Sequence, residues 1–375
     1  MARDIKELCG VDFPLFAFSH CRDVVAAVSR AGGFGVLGGV AFTPESLDVE
    51  LKWIDEHCDG KPYGVDVLLP EKQAAAPDAT VAQIIETIPQ EHREFVQKLL
   101  ADAGIDWNVP QGAGRAAVNS LSPIVAEQLI EVAFSHPIRL VASALGPAPK
   151  WMIERSRRED VAVVGLVGAK EHAVRQIEAG VDIIVAQGGE AGGHTGEVAT
   201  LVLVPEVVRA VQASGRDIAV LGAGGIMTGA QMAACMAMGA AGAWTGSVWL
   251  ATTESEVTET FRQKMVAATS RDTVRSKART GKPSRQLRSA WHDAWESPES
   301  PGALPMPQMS ILSTPAFAAI DRAADGGNER AKELLSYWVG QGVGLVDKVK
   351  SAEQVVADFM ADFATAADRL AQYVG

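Results

Sequence analysis

The chain has 375 residues, 47% of them hydrophobic, and carries a formal net charge of −12. This length allows one large α/β barrel or two ordinary domains, and the acidic balance disfavours binding to nucleic-acid phosphates or anionic membrane surfaces. No apolar run approaches the ~18 residues of a membrane-spanning helix, and the N-terminus lacks the apolar segment of a signal peptide. Four scattered cysteines form no CxxC pair, so we expect a cytoplasmic protein with a small-molecule substrate and no metal, nucleic-acid or membrane partner.

Eight short apolar segments alternate with helical patterns along the chain, and each of them predicts a β-strand. Several helical patterns end in glycine, for example Gly180 and Gly239, where a left-handed residue commonly ends a helix. Eight strands separated by helices are typical of a (β/α)₈ barrel of the TIM type, whereas an open doubly wound sheet, the alternative, needs no eighth unit. The predicted strands are 14–18, 34–37, 63–69, 138–143, 161–167, 182–187, 218–222 and 242–247.

Two segments are longer than ordinary loops, and both follow predicted strands. The first covers about residues 70–136 and contains the helical patterns 81–87 and 91–103. The second, residues 255–344, contains a basic run from Arg271 to Arg288 that we interpret as a solvated helical face. We therefore expect a barrel core in residues 1–254, two helical insertions that form a lid, and a C-terminal helix in residues 345–375 that completes the barrel.

The sixth predicted strand runs directly into a loop, residues 186–196, in which five of eleven residues are glycine. Such a backbone can approach a flat or charged ligand closely, and loops after parallel strands are where α/β proteins bind their ligands. His194 lies near the end of this loop. The loop therefore predicts a ligand site with one imidazole; a flexible turn with an incidental histidine is the alternative.

The seventh and eighth predicted strands also end in glycine. Gly224 and Gly225 follow the seventh strand, and Gly246 follows the eighth. In barrels of this type the loops after these two strands commonly bind phosphate through backbone N–H groups and a helix N-terminus. We expect a phosphate group here, contacted also by the hydroxyls of Thr245 and Ser247; tight packing of two strand ends is the alternative.

These motifs together resemble the nitronate monooxygenase family, formerly called the 2-nitropropane dioxygenases, and also the flavin-dependent enoyl-acyl-carrier-protein reductases. The resemblance rests on AQGGEAGGHTG at 186–196, GAGGI at 222–226 and GAAGAWTGS at 239–247. Weaker similarities are TGKPSR at 280–285 and GQGVGL at 340–345.

The resemblance implies that FMN lies over the barrel mouth and that the enzyme oxidises alkyl nitronates or nitroalkanes with O₂. His194 matches the family's catalytic histidine, which would remove the acidic α-proton of a nitroalkane. An FMN-dependent reductase or dehydrogenase acting on an enoyl thioester with NAD(P)H is the alternative, and a catalytically inactive barrel that binds a phosphorylated ligand is a third; a homodimer is compatible with each. The implied cofactor-binding residues are Ala17, Phe18, Asp66, Gln187, Gly192, Gly193, Gly224, Gly225, Trp244, Thr245, Gly246 and Ser247.

Two positions depart from the family pattern. The first strand reads LFAFSH at 15–20 where the family usually has QAPM, and Asp66 stands where the family often has the asparagine of GVN. An aspartate there lacks the amide donor and adds a charge, unless it is protonated. His20 and Ser143, at the ends of predicted strands, are minor candidates for substrate or flavin contacts. Five other histidines are interpreted as surface residues: His57, His92, His136, His172 and His292.

Overall fold

The computed structural model describes residues 4–69, 81–107, 123–144 and 146–373, and eight parallel strands of this part of the chain close into a barrel. All eight predicted strands are confirmed, with ends within two residues of the prediction, so the fold is a (β/α)₈ barrel. The barrel strands are β1 (Leu15–Ser19), β2 (Phe34–Gly38), β3 (Tyr63–Leu68), β4 (Leu140–Ala144), β5 (Ala162–Val167), β6 (Ile183–Gln187), β8 (Ala219–Ala223) and β9 (Gly242–Thr245). They follow one another in this order around the ring, and β9 pairs with β1 to close it.

Alternate side chains of each strand enter two separate apolar layers. Phe16, Val185 and Trp244 belong to the layer inside the barrel, whereas Leu37 and Val220 belong to the layer between strands and helices. Because both faces are covered, the strands are apolar on both sides, as is usual for parallel strands. This alternation decides which residues at the strand ends face the barrel mouth.

Helices cover the outside of the barrel and build the two insertions. In chain order, those within the described ranges are α1 (Ile5–Cys9), α2 (Arg22–Arg30), α3 (Pro44–His57), α4 (Val81–Glu86), α5 (Gln90–Asp102), α6 (Pro123–Phe134), α7 (Lys150–Glu159), α8 (Lys170–Ala179), α9 (Thr200–Ser214), α10 (Gly229–Ala237), α11 (Glu259–Val266), α12 (Ala290–Trp295), α13 (Gln308–Asp325), α14 (Glu329–Leu334) and α15 (Ala352–Ala371). None of them has an apolar stretch long enough to cross a membrane.

The C-terminal helix α15 packs between α10 and α2, which is the place of the eighth barrel helix. Its approach to α10 is close: a Cβ at Gly229 would lie 2.0 Å from the carbonyl oxygen of Phe359. Asp362 accepts a 2.7 Å hydrogen bond from the backbone N–H of Ala230. A carboxylate at a helix N-terminus is favourable, so this contact fixes the start of α10, directly after one of the candidate phosphate loops.

The two insertions share one apolar core, separate from the barrel layers. Leu100 of α5 is fully buried in the same cluster as Trp291 and Met309 of the second insertion. The basic run was predicted to be a solvated helix, and this prediction is wrong. It contains the hairpin β10 (Thr273–Ser276) and β11 (Ser284–Leu287), and Arg279 between these strands is buried. The short strand β7 (Gly193–His194) joins this hairpin in the order β10, β11, β7.

Candidate active site

The barrel mouth, at the C-terminal ends of the strands, collects side chains from inward positions. Phe18, Asp66, Gln187 and Trp244 occupy such positions, because their neighbours along each strand belong to the outer layer. The Trp244 indole lies nearly parallel to the Phe16 ring, with centroids 6.2 Å apart, and is inclined by 25° to the Phe18 ring, 6.4 Å away. These rings form an apolar floor below the mouth.

Three residues that we predicted to contact cofactor or substrate have side chains at outward positions of their strands. Ser143 is fully buried opposite Val67 of the outer layer, and its hydroxyl faces the carbonyl of Gly146 at 3.5 Å. Thr245 Oγ1 donates to the carbonyl of Phe16 over 2.9 Å and accepts from Trp249 Nε1, so its hydroxyl proton is not available to a phosphate. Ala17 is buried on the same face and offers a cofactor no side-chain contact. A sequence that is apolar on both strand faces does not reveal which face is inside, so these outward positions could not be predicted.

The glycine-rich loop after β6 is held to the second insertion by a short β-ladder. His194 lies opposite Ser284, and Gly193 lies opposite Arg285, in the pairing of β7 with β11. At the base of the loop, Gln187 Nε2 donates a 3.1 Å hydrogen bond to the backbone carbonyl of His194. The loop that carries the histidine is therefore fixed from the barrel side and from the insertion side.

The His194 imidazole is half-buried, and its Nδ1 lies 3.4 Å from the carbonyl oxygen of Pro283. A carbonyl oxygen can only accept, so this contact places the ring proton on Nδ1 and leaves the lone pair on Nε2. Burial lowers the pKa of His194; the positive charge of Lys282 acts in the same direction, and the Pro283 carbonyl opposes it. The ring is therefore a neutral imidazole at pH 7, the form that can accept a proton.

Three polar residues that the sequence analysis did not single out for a role in the site fix the shape of the glycine-rich loop. Glu190 accepts hydrogen bonds from the backbone N–H and the hydroxyl of Thr200, both at 2.9 Å, at the start of α9. Arg285 Nε donates to the carbonyl of Gly189 over 2.9 Å. A carboxylate at a helix N-terminus is a recognisable signal, but Glu190 is separated from α9 along the chain, so only the folded structure brings them together.

The ends of β8 and β9 form the two candidate phosphate loops. Gly224 and Gly225 have φ angles of +104° and +70°, a left-handed backbone that favours glycine. Gln231 of α10 braces this turn: its Nε2 donates to the carbonyl of Gly225 over 2.8 Å. At the neighbouring strand end, a Cβ on Gly246 would meet no atom within 4 Å. The backbone at Gly246 therefore faces open space beside the start of the short 3₁₀ helix Ser247–Ala251.

Two predicted contact residues, Gly192 in the loop after β6 and Ser247 after β9, also have packing roles. A Cβ on Gly192 would lie 3.0 Å from the backbone of Val339 and Gly340, so a glycine is needed for close approach of the chain there. The Ser247 hydroxyl accepts a 2.9 Å hydrogen bond from the backbone N–H of Gly340 and keeps its own proton to donate. The segment around Gly340, which resembled the family only weakly by sequence, thus connects the two loops.

Asp66 and His20 lie on either side of Gly38 at the mouth. Asp66 is 4% exposed, and its Oδ1 has no hydrogen-bond partner among the described residues. Burial raises the pKa of Asp66 to about 8. The His20 ring covers Gly38, with Nδ1 donating to the Gly38 carbonyl over 3.1 Å, and packs edge-on against Phe18. His20, which directly follows β1, therefore lies beside the inward-facing residue Phe18.

Not all of the remaining histidines are surface residues. His57 and His172 are exposed as predicted. His92 and His292 are instead buried in the insertions, and burial lowers the pKa of His292 to about 4. The His136 side chain is also nearly buried, with its ring nitrogens facing Asp55 and Asp48. Within the described ranges, no group of three or more His, Cys, Asp or Glu side chains is placed to hold a metal ion.

Comparisons with known proteins extend over nearly the whole chain. A family model described as nitronate monooxygenase matches residues 8–362. The Mycobacterium tuberculosis protein named "Putative monooxygenase Rv1533" is 52% identical over 366 residues, which cover 97% of this chain and 96% of that protein. The solved structure of nitroalkane oxidase from Streptomyces ansochromogenes gives a TM-score of 0.78 at 25% identity and covers 98% of this chain and 99% of its own. FabK from Thermotoga maritima gives 0.70 at 26% identity and covers 100% of both chains.

Proposed function

The chain belongs to the nitronate monooxygenase family and is an oxidoreductase, and on this premise we propose that it oxidises alkyl nitronates and nitroalkanes with FMN and O₂. The observation that carries the proposal is the neutral imidazole of His194: Gln187 holds the backbone of this residue, the Pro283 carbonyl faces Nδ1 of the ring, and the Nε2 lone pair can accept a proton. A base of this kind suits a substrate whose α-proton is acidic.

The residues at the mouth fit the FMN that the sequence resemblance implies. The left-handed turn at Gly224–Gly225, the open backbone at Gly246 and the free hydroxyl proton of Ser247 suit a phosphate. The apolar floor around Trp244 suits a flat ring system, and the orphaned carboxyl oxygen of Asp66 suits a ligand atom. When bound, FMN supplies the one-electron oxidation of the nitronate, after which O₂ combines with the organic product.

His194 carries the proton transfer in this proposal. Its Nε2 takes the α-proton of a neutral nitroalkane, and the resulting imidazolium faces the negative nitronate oxygens. Lys282 adds a second positive charge near the ring, which disfavours the imidazolium in the free enzyme and favours binding of the anion.

The proposed domain organisation has a barrel core in residues 1–254, with an insertion at about 70–136. This insertion and residues 255–344 serve as the lid, and residues 345–375 complete the barrel.

An FMN-dependent enoyl thioester reductase or dehydrogenase that uses NAD(P)H is the second candidate function. It is supported by the similarity to FabK over the full length of the chain and by the loop motifs that the two flavoenzyme groups share. Asp66, where the nitronate monooxygenases often have asparagine, is a departure from that family's pattern and therefore keeps the reductase function as a candidate.

Oxygen consumption by the FMN-loaded protein separates the two functions. We expect rapid O₂ uptake with short alkyl nitronates in the absence of pyridine nucleotide. Parallel assays follow oxidation of NADH and NADPH with an enoyl thioester of coenzyme A or acyl carrier protein. Pyridine-nucleotide oxidation that depends on the enoyl thioester, without nitronate-dependent O₂ uptake, would overturn the proposal in favour of the second function.

A further inference from the structure

Asp66 is a residue of the proposed cofactor site that departs from the family pattern, and the described residues around it offer its side chain few hydrogen-bond partners. Its side chain points inward from β3, between Gly38 of β2 and Ala142 of β4. Neither neighbour has a polar side chain. The side chain is 4% exposed, and Oδ1 finds no donor among the described residues.

A carboxylate in such a place lacks the hydrogen bonds that stabilise a buried charge. The His20 ring lies beyond Gly38, and its Nδ1 proton is already used by the Gly38 carbonyl. The neighbours of Asp66 on the adjoining strands, Gly38 and Ala142, are uncharged. Burial alone raises the pKa of Asp66 to about 8, with no charged group contributing. The group therefore keeps its proton at pH 7, and a protonated carboxyl is a hydrogen-bond donor.

The position of Asp66 in the ring of strands indicates what it faces. β3 lies four strands away from β8 in either direction around the eight-stranded barrel, so the two are diametrically opposed. A ligand whose phosphate lies at Gly224–Gly225, after β8, and which extends across the mouth brings its other end over β3. For FMN, the end remote from the phosphate is the isoalloxazine ring, which carries hydrogen-bond acceptors.

We propose that Asp66 is held as a neutral carboxylic acid that donates a hydrogen bond to the ring end of FMN, in place of the amide that an asparagine would offer. The flavin contact rests on the proposed FMN-dependent function, whereas the protonated state of Asp66 does not. Ionisation of Asp66 converts a donor into an anion against the ring, so FMN binding weakens as the pH rises.

Infrared spectroscopy tests the protonated state on flavin-free protein. Wild-type protein at pH 7 should show the carbonyl stretch of a protonated carboxyl, absent from Asp66→Asn and lost from the wild type as the pH rises through about 8. A difference spectrum between wild type and Asp66→Asn with no protonated-carboxyl band at pH 7 would overturn the proposal.

The dissociation constant of FMN between about pH 7 and 9.5 tests the flavin contact, because the FMN phosphate is already a dianion in this range. The wild-type constant should rise about tenfold for each pH unit above the pKa of Asp66. Asp66→Asn, which donates at every pH, should bind FMN with an affinity that changes little over the range. His20→Gln should keep the wild-type pH dependence, because the titrating group is Asp66.

Parallel pH curves for wild type and Asp66→Asn would overturn the flavin contact. A pH dependence of FMN binding that disappears in His20→Gln would also overturn the flavin contact, because His20 would then be the titrating group. Failure of the wild type to bind FMN at any pH contradicts the proposed function together with the contact. The infrared band still decides the protonated state of Asp66 in that case, so the two failures are distinguishable.

Discussion

Gln187, the last residue of β6, donates its side-chain amide to the backbone carbonyl of His194 over 3.1 Å. The hydrogen bond spans the glycine-rich loop and ties its end to the strand from which it starts. The pairing of His194 with Ser284 holds the other side of the same residue. A flexible backbone thus carries a side chain in one fixed place, which is what a general base requires.

Replacing His194 by asparagine should separate proton removal from oxidation. Turnover of neutral nitroalkanes should fall by roughly 10² to 10⁴-fold, the usual effect of losing a positioned base. Oxidation of preformed nitronate should fall less, because no proton must be removed, and FMN content should be unchanged. Steady-state kinetics on matched nitroalkane and nitronate pairs measure this, with His172→Asn on the exposed face of α8 as control. Equal losses on both substrates would show that His194 is not mainly a base.

Removing the charge of Lys282 should move the pH profile. The ammonium group lowers the pKa of His194, so Lys282→Met should raise it and shift the acid limb of kcat/KM for neutral nitroalkanes to higher pH. Lys282 is exposed and screened by solvent, so we expect a small shift that shrinks with added salt. Lys277→Met, an exposed lysine of the same hairpin, is the matched control. Identical shifts in the two variants would contradict a specific effect of Lys282.

An alanine at Gly246 should interfere with FMN without harming the fold. The φ angle at this residue is −132°, and its added Cβ would meet no atom within 4 Å. If the phosphate lies over Gly246, the methyl group occupies its place, and the FMN dissociation constant should rise at least about tenfold, about 1.4 kcal/mol. The melting temperature of the flavin-free protein should not change.

Gly215→Ala is the opposite control, because Gly215 ends α9 with a φ of +67° in open space. The left-handed backbone should lower the stability by about 1 kcal/mol while FMN affinity stays the same. Unchanged FMN affinity in Gly246→Ala would remove Gly246 from the phosphate site.

Truncating Trp291 should weaken the shared core of the two insertions. The side chain is fully buried, and its Nε1 donates to the carbonyl of Ala278 over 2.9 Å. Trp291→Ala should therefore lower the free energy of unfolding by about 3 to 5 kcal/mol, measured by urea titration. Trp53→Ala, at a half-buried position on α3, should lower it by less. Equal decreases in the free energy of unfolding in the two variants would contradict the stabilising role of Trp291 in this core.

The barrel could be predicted from the sequence because each strand is a short apolar run and each neighbouring helix has a clear start or end. The basic segment was harder to interpret. Its strands β10 and β11 have only four residues each, and they form because β11 pairs with β7, a contact between distant parts of the chain. Charge alone indicated a solvated surface, whereas Arg279 is buried among the rings of Phe317 and Trp338.

The candidate site divides in the same way. His194, Gly225 and Gly246 could be located because loops after parallel strands have recognisable glycine patterns. The positions of Ser143 and Thr245 relative to the mouth could not, because one residue of register reverses the face of a strand. Glu190 and Gln231 act through the loops after β6 and β8, and contacts of this kind exist only once the barrel has closed.

The most direct test of the proposed function is the absorbance of the FMN-loaded enzyme mixed with an alkyl nitronate in the absence of oxygen. We predict that the oxidised flavin absorbance is lost rapidly with nitronate alone and returns when O₂ is admitted, while NADH and NADPH cause only slow change. A flavin that stays oxidised with every alkyl nitronate but is reduced rapidly by NADH or NADPH would contradict a nitronate monooxygenase activity.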